Sequence, residues 1–214
     1  YGFTRAMTMW AMYIHEAYAN KERLRRGADL VFRRHPGLTL RTLRPDRFME
    51  DVEAAMHIYN KAWANNWGHV PYTMREAKHL ANDLKQIIEP ELFFFLEMDG
   101  KPVAFSVALP NLNQALKHVK DGRLFPLGLP KLLARAKLGG IYEIRLPLLG
   151  VLPEYQGHGF DAPLVNATVQ DGIARGYDAC DMSWVLDSNK RLINALENLG
   201  GVRDKEYVML EKRL

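Results

Sequence analysis

The sequence predicts an α/β protein. Three observations carry that expectation. Apolar residues at helical spacing alternate with short β-like runs from Leu38 onward, and Asp99-Gly100 joins two of those runs as a two-residue hairpin signal. From Ile141 the order is strand, glycine-rich turn, helix, strand, helix, strand. With 214 residues, 48% hydrophobic and 25% charged, the composition excludes disordered, fibrous and membrane classes and allows one large domain plus an extension.

Each element has its own signal. Thr4 to Tyr18 is rich in Met and aromatics, and alternation over Ala6 to Trp10 permits a strand. Asn20 to Arg34 reads as a basic helix with a thin apolar stripe of Leu24, Ala28, Leu30 and Val31, ended by His35-Pro36-Gly37. That break divides an extension, residues 1–37, from a domain, residues 38–214. Leu38 to Leu43 alternates like a strand, and Pro45-Asp46 precedes a helix carrying Phe48, Val52, Ala55, Ile58 and Tyr59. Trp63 to Pro71 reads as a loop. Thr73 with Glu76 has the spacing of a capping box, opening a helix to about Ile88.

Leu92 to Met98 and Pro102 to Ala108 are the two hairpin strands. Pro110 to Asn113 opens a less regular region that includes a basic amphipathic segment, Leu129 to Leu138. Ile141 to Leu152 is a long β-like run, followed by a helix through Val165, Val169 and Ile173 that Gly176 stops. Tyr177 to Leu186 reads as a buried strand. Asp187-Ser188-Asn189 caps a helix with Leu192, Ile193, Leu196 and Leu199, and Gly200-Gly201 precedes a final strand, Tyr207 to Leu210.

The net charge of +4 is unevenly placed. Residues 20–47 hold nine basic side chains and three acids, leaving about −2 for the remainder. Arg23, Arg25, Arg26, Arg33 and Arg34 lack interleaved aromatics, which predicts a solvated helix face in a connector and no nucleic-acid surface. A single cysteine, Cys180, excludes an internal disulfide and a Cys-rich zinc site and fits a reducing compartment. No apolar run is long enough to span a bilayer and no signal-peptide pattern opens the chain, so a cytoplasmic protein without a metal is expected.

Chemistry concentrates after the long strand. A strand whose following glycines lead straight into a helix makes a phosphate cradle: glycine lets the backbone approach closely, and the first helical N–H groups have no internal partner. Gln156, Gly157, His158, Gly159 and Phe160 occupy that context. Two glycines alone also fit a tight turn.

Gly150-Val151-Leu152-Pro153-Glu154-Tyr155-Gln156-Gly157-His158-Gly159 resembles the coenzyme A signature of the GNAT superfamily of acyl-CoA-dependent N-acyltransferases. The resemblance implies a GNAT fold, a mixed and mostly antiparallel central sheet flanked by helices. It also implies acetyl-CoA or another acyl-CoA as donor. The strand before the motif then splays from its neighbour and offers backbone groups to the pantetheine, here at Leu148, Leu149, Gly150 and Val151, with Pro147 just before them. Asn189 matches the Asn that begins the following helix beside the coenzyme.

Glu143 lies thirteen residues before Gln156, the spacing at which histone-acetylating GNAT enzymes carry a general-base Glu. A carboxylate facing solvent or paired with Arg145 explains the same residue. Leu196 stands where many GNAT enzymes have a Tyr acid, and Tyr207, Tyr177 and Ser183 are the remaining hydroxyl candidates. Asp161 replaces the Gly or Ala of the signature and is expected to point away from a bound pyrophosphate. Acceptor recognition is assigned to the Trp63, Asn65, Asn66, Trp67 and His69 loop and to Asn111 and Asn113.

The expected function is transfer of an acetyl or other acyl group from acyl-CoA to a small-molecule amine, with a homodimer as a candidate state. A catalytically silent GNAT-fold sensing or assembly module competes, on Leu196 and Asp161. A long-chain N-acyl amino acid synthase competes on the Met- and Phe-rich apolar surfaces. Tyr1 to Arg5 and the Met/Trp run after it compare with Gly200 to Arg203 and the strand that follows. Residues 1 to about 18 are therefore expected to be the last strand of a preceding GNAT-like half, which makes this chain the C-terminal half of a tandem protein.

Overall fold

The computed structural model describes residues 1–85, 87–118, 134 and 140–212. The chain divides into two units, one of Tyr1–Asn20, Pro110–Pro147 and Ile173–Leu214, the other of Lys21–Leu109 and Leu148–Gly172. The α/β expectation holds: among the described residues there are seven strands, mixed in direction and mostly antiparallel, and flanking helices.

The second unit opens with α1 (Lys21–Arg34) and a meander of β2 (Leu38–Thr42), β3 (Phe93–Met98) and β4 (Lys101–Pro110), with α2 (Phe48–Ala62) and α3 (Met74–Leu84) between β2 and β3. The β3–β4 hairpin closes where predicted. Asp99 and Gly100 take positive φ of 50° and 76°, the left-handed pair that a tight hairpin turn requires. The Thr73 hydroxyl accepts from the Glu76 N–H while Glu76 accepts from the Thr73 N–H, completing the capping box. α3 ends at Leu84, short of the expected Ile88, and Pro90 holds Glu89 extended before β3. Phe93, Phe94, Phe95 and Leu96 are all buried, so β3 lies in the core on both faces beside Phe105, Phe160, Leu164 and Ile58.

Asp51 is fully buried in this unit. Arg41 reaches it through two nitrogens at 3.0 and 2.9 Å, and Arg44 through its backbone N–H at 2.8 Å and its guanidinium at 2.6 Å. Burial alone would raise the carboxyl pKa, but these donors and the two cations hold it below the usual carboxylate range. Two of the basic residues counted in 20–47 are thereby committed to an internal acid.

The first unit contains β1 (Thr4–His15), α4 (Asn113–Leu116), the start of β5 (Glu143–Val151), β6 (Ala179–Leu186), α6 (Lys190–Asn198) and β7 (Val202–Glu211). β6 pairs in parallel with β5 and antiparallel with β1, and β1 pairs antiparallel with β7 from Thr4↔Glu211 to Tyr13↔Val202. This pairing extends β7 well beyond the expected Tyr207 to Leu210. Residues 1–37, expected to form a separate extension, are shared out: Tyr1–Asn20 joins this unit and Lys21 onward the other. The Met/aromatic run is a strand between β6 and β7, and the basic helix buries Leu24, Ala28 and Val31. The amphipathic Leu129–Leu138 segment lies outside the described residues. Among the described residues no helix is long and apolar enough to cross a membrane.

Candidate active site

The cradle belongs to the second unit. Among the described residues the parallel β5–β6 ladder covers Glu143 to Arg145 against Ala179 to Asp181, whereas β5 continues to Val151 and β6 to Leu186. Pro147 has no N–H to extend that ladder. Beyond it, Leu148, Leu149 and Val151 pack half-buried against the core. Gly150 is buried, and a Cβ on it would meet Trp63 Cζ3 at 2.7 Å and Phe105 Cε1 at 3.0 Å. Only glycine fits there.

The Leu152 N–H donates to the Val103 carbonyl at 2.9 Å, which ends β5 beside β4. A single tight turn, Pro153–Tyr155, follows, and the Gln156 side-chain amide donates back to the Val151 carbonyl at 3.1 Å. Gln156 thus folds the loop onto the strand. Gly157 and Gly159 have φ of 87° and 81°, so the signature's glycines are required by backbone conformation. Phe160 is buried and stacks on Tyr155 with centroids 5.5 Å apart, anchoring the start of α5 (Asp161–Ala174). His158 and Gly157 remain exposed. The loop and the first turn of α5 bring backbone N–H groups and the positive end of the helix dipole together.

An aromatic cluster stands over this strand within the same unit. Trp63 closes α2, its ring 4.6 Å from Tyr59 and 6.3 Å from Phe105. Tyr59 also contacts His69 at 5.2 Å and Tyr72 at 5.6 Å. Asn66 donates its N–H to the Trp63 carbonyl and His69 to that of Asn66, winding the loop. Asn66 and Trp67 are exposed, and both ring nitrogens of His69 are buried without a hydrogen-bond partner. Asn60, which sequence reasoning passed over, ties this loop shut by accepting from the Tyr72 N–H and donating to its carbonyl, both at 2.9 Å. Trp63 therefore serves the core as well as the loop.

Glu143 sits in the first unit. Its carboxylate accepts from the Tyr13 hydroxyl at 3.2 Å and from the Asn111 side-chain amide at 3.0 Å. Gln114 Oε1 accepts from the N–H groups of Tyr142 and Glu143, fixing the start of β5. Burial, then the Glu143 charge, pushes the Tyr13 phenol up to about 12, so it stays protonated and donating. The sequence weighed solvent or Arg145 as the partner of Glu143. Tyr13 and Asn111 hold it instead, and Arg145 lies over the Trp184 ring at 5.4 Å. Asn111 is thus engaged with Glu143, while Asn113 opens α4. Tyr13, 130 positions away in sequence, carried no local signal.

Residues 52–200 match the model of the acetyltransferase (GNAT) family. The chain belongs to the GNAT family. Over 182 residues, 83% of the chain, it is 38% identical to a protein described as bacterial ceramide synthase from Caulobacter vibrioides, of which that stretch is 47%. It is 36% identical over 181 residues to protein YghO of Escherichia coli, covering 83% of this chain and 46% of that one. The chain spans about half the length of these curated relatives. A GCN5-related N-acetyltransferase from Sphaerobacter thermophilus superposes over 98% of this chain and 52% of its own, with a TM-score of 0.61 and 15% identity, a likeness of fold.

Against the GNAT pattern, four positions now have a physical place. Asn189 is the N-cap of α6, its Oδ1 accepting from the Leu192 N–H at 3.2 Å. Leu196, at the GNAT tyrosine position, is buried. Of the other hydroxyl candidates, Ser183 donates to Asp181, and Tyr207 packs edge-on to Trp184 at 5.8 Å. Among the described residues no group of His, Cys, Asp or Glu could hold a metal ion.

Proposed function

We propose that this GNAT chain transfers an acyl group from acyl-CoA to the amine of a small-molecule acceptor. The observation that carries the reading is the β5 segment beyond Pro147: it leaves its ladder with β6, runs through a glycine over which two aromatic rings close, and ends in a turn of two left-handed glycines at the start of a helix. Leu148 to Val151 would hold the pantetheine as an added strand, and the Gly157 to Phe160 backbone the pyrophosphate. The thioester supplies an activated acyl carbon and a thiolate leaving group.

The acceptor nitrogen bonds to that carbon, the carbon–sulfur bond breaks, the amine proton goes to a base and the thiolate takes a proton. Glu143 is the proposed base. Tyr13 and Asn111 occupy two of its lone-pair positions and fix its orientation, leaving acceptor capacity for the amine proton. Similarity to a protein described as ceramide synthase supports a long-chain donor, since ceramide is an amide of a long-chain acid. Trp63, Asn66 and Trp67 are the proposed acceptor-side residues.

Isothermal titration with acetyl-CoA and palmitoyl-CoA, followed by thiol release over a panel of amines that includes amino acids and long-chain amino alcohols, tests this. We expect donor binding and amine-dependent release, faster with the long-chain donor. Absence of binding at millimolar donor overturns the reading. Binding without release for any amine assigns the chain to the silent GNAT module that the buried Leu196 favours.

A further inference from the structure

We propose that the basic helix α1 forms one wall of the donor cradle and that Arg34 holds a phosphate of the donor there. The proposal rests on the acyl-CoA reading above and adds a residue that the glycine signature does not contain.

From the sequence, this helix is a connector with a solvated basic face. The fold seats it along the cradle within the same unit. A Cβ on Gly27 would lie 3.6 Å from the Cβ of Ala162 in the first turn of α5, and a Cβ on Gly159 would lie 3.3 Å from Val31 Cγ2. One turn further, the His35 ring lies 5.6 Å from His158 and 5.0 Å from Phe160. Residues 27 and 31 share the four-residue spacing that keeps one helix face on a neighbour, and His35, the first residue after α1, continues the contact, so α1 packs along the glycine turn from Gly27 to its C-terminal end.

That geometry sorts the arginines. At about 100° per residue, Arg34 falls about 20° around the helix from Gly27, on the flank that meets α5. Arg33 falls opposite the buried stripe of Leu24, Ala28 and Val31. Arginines on the outer face already have partners: Arg26 pairs with Glu22, Arg25 with Asp29 at 3.6 Å, and Arg33 donates to the Asp29 backbone carbonyl at 3.3 Å. Arg34 is exposed and, among the described residues, its side chain has no ion pair or hydrogen bond.

A guanidinium beside backbone N–H donors suits a phosphate, because its planar fork matches two phosphate oxygens. It also accounts for Asp161. A carboxylate in the first turn of α5 opposes a bound anion, and a cation at the C-terminal end of α1, next to the His35 ring that packs on His158 and Phe160, helps to offset it.

Isothermal titration of the wild type, Arg34→Gln, Arg34→Lys and Arg33→Gln with CoA and with 3′-dephospho-CoA tests the assignment, with circular dichroism melts to confirm folding. We expect Arg34→Gln to bind CoA about tenfold more weakly, Arg34→Lys to recover part of the loss, and Arg33→Gln, which removes the same charge from the opposite face, to stay within about twofold of wild type. If dephospho-CoA affinity falls equally, Arg34 holds the pyrophosphate; if it does not fall, Arg34 holds the 3′-phosphate. Equal losses in Arg34→Gln and Arg33→Gln, or no loss in either, overturn the proposal while leaving the donor reading intact. Failure of the wild type to bind CoA overturns the donor reading and, with it, the assignment.

Discussion

The Trp63 ring lies so close over Gly150 that a single added carbon would come within 2.7 Å of it. An aromatic at the end of α2 thereby dictates a residue near the end of the strand proposed to bind the donor. We expect Gly150→Ala to destabilise the protein by about 1–3 kcal/mol through overpacking and to weaken acyl-CoA binding. Trp63→Leu in that background should recover stability. Thermal melts of the two single variants and the double variant, read as a cycle, measure the coupling; additive effects would show that the ring and the strand do not share that space.

Glu143 is held by two donors, and its amide isostere keeps the shape while removing the base. Glu143→Gln is expected to lower kcat by about 100-fold or more with the acyl-CoA KM within about twofold. Tyr13→Phe, which removes one orienting donor, should cost less than tenfold. Steady-state thiol release distinguishes these, and a Glu143→Gln variant with wild-type kcat would exclude the carboxylate as base.

Buried Asp51 is the acceptor that Arg41 and Arg44 share. Asp51→Ala should cost about 1–3 kcal/mol, because it removes the acceptor of the Arg44 N–H and of both guanidiniums, while Glu97 still pairs with Arg41 and Glu50 with Arg44. The pH dependence follows from the sign of the shift. Since the folded pKa lies below the unfolded value of about 3.9, this stabilisation is present above that value and is lost as pH falls through the folded pKa. Urea unfolding at pH 7 and at successive pH values below 4 should show wild-type stability falling toward that of the variant.

Burial, and then the neighbouring Asp181 charge, pushes the Cys180 thiol up to about 12. The thiolate is the reactive form, so native protein should show negligible reaction with a disulfide reagent at pH 8 and one equivalent after denaturation. Rapid modification of the native state would contradict the burial of β6.

Elements set by local chemistry were legible before the fold was known. The Asp99-Gly100 hairpin, the Thr73–Glu76 capping box and the Asn189 cap each depend on a few adjacent residues, and each appears where expected. Pairings that join distant segments were not legible. Nothing near Thr4 says that β1 will pair with both β6 and β7, nothing near Tyr13 points to Glu143, and a charge count cannot tell an arginine spent on buried Asp51 from one on the surface.

By itself, then, the sequence determined the family, the α/β class and the position of the glycine turn proposed to hold the donor, because the glycines and the helix start after them are local properties of the chain. Only the tertiary structure decided which distant segments meet within each unit. Trp63 over Gly150, α1 along Gly159 and Ala162, and Tyr13 on Glu143 are outcomes of packing, in which the face an element buries is selected by its neighbours rather than by its own residues.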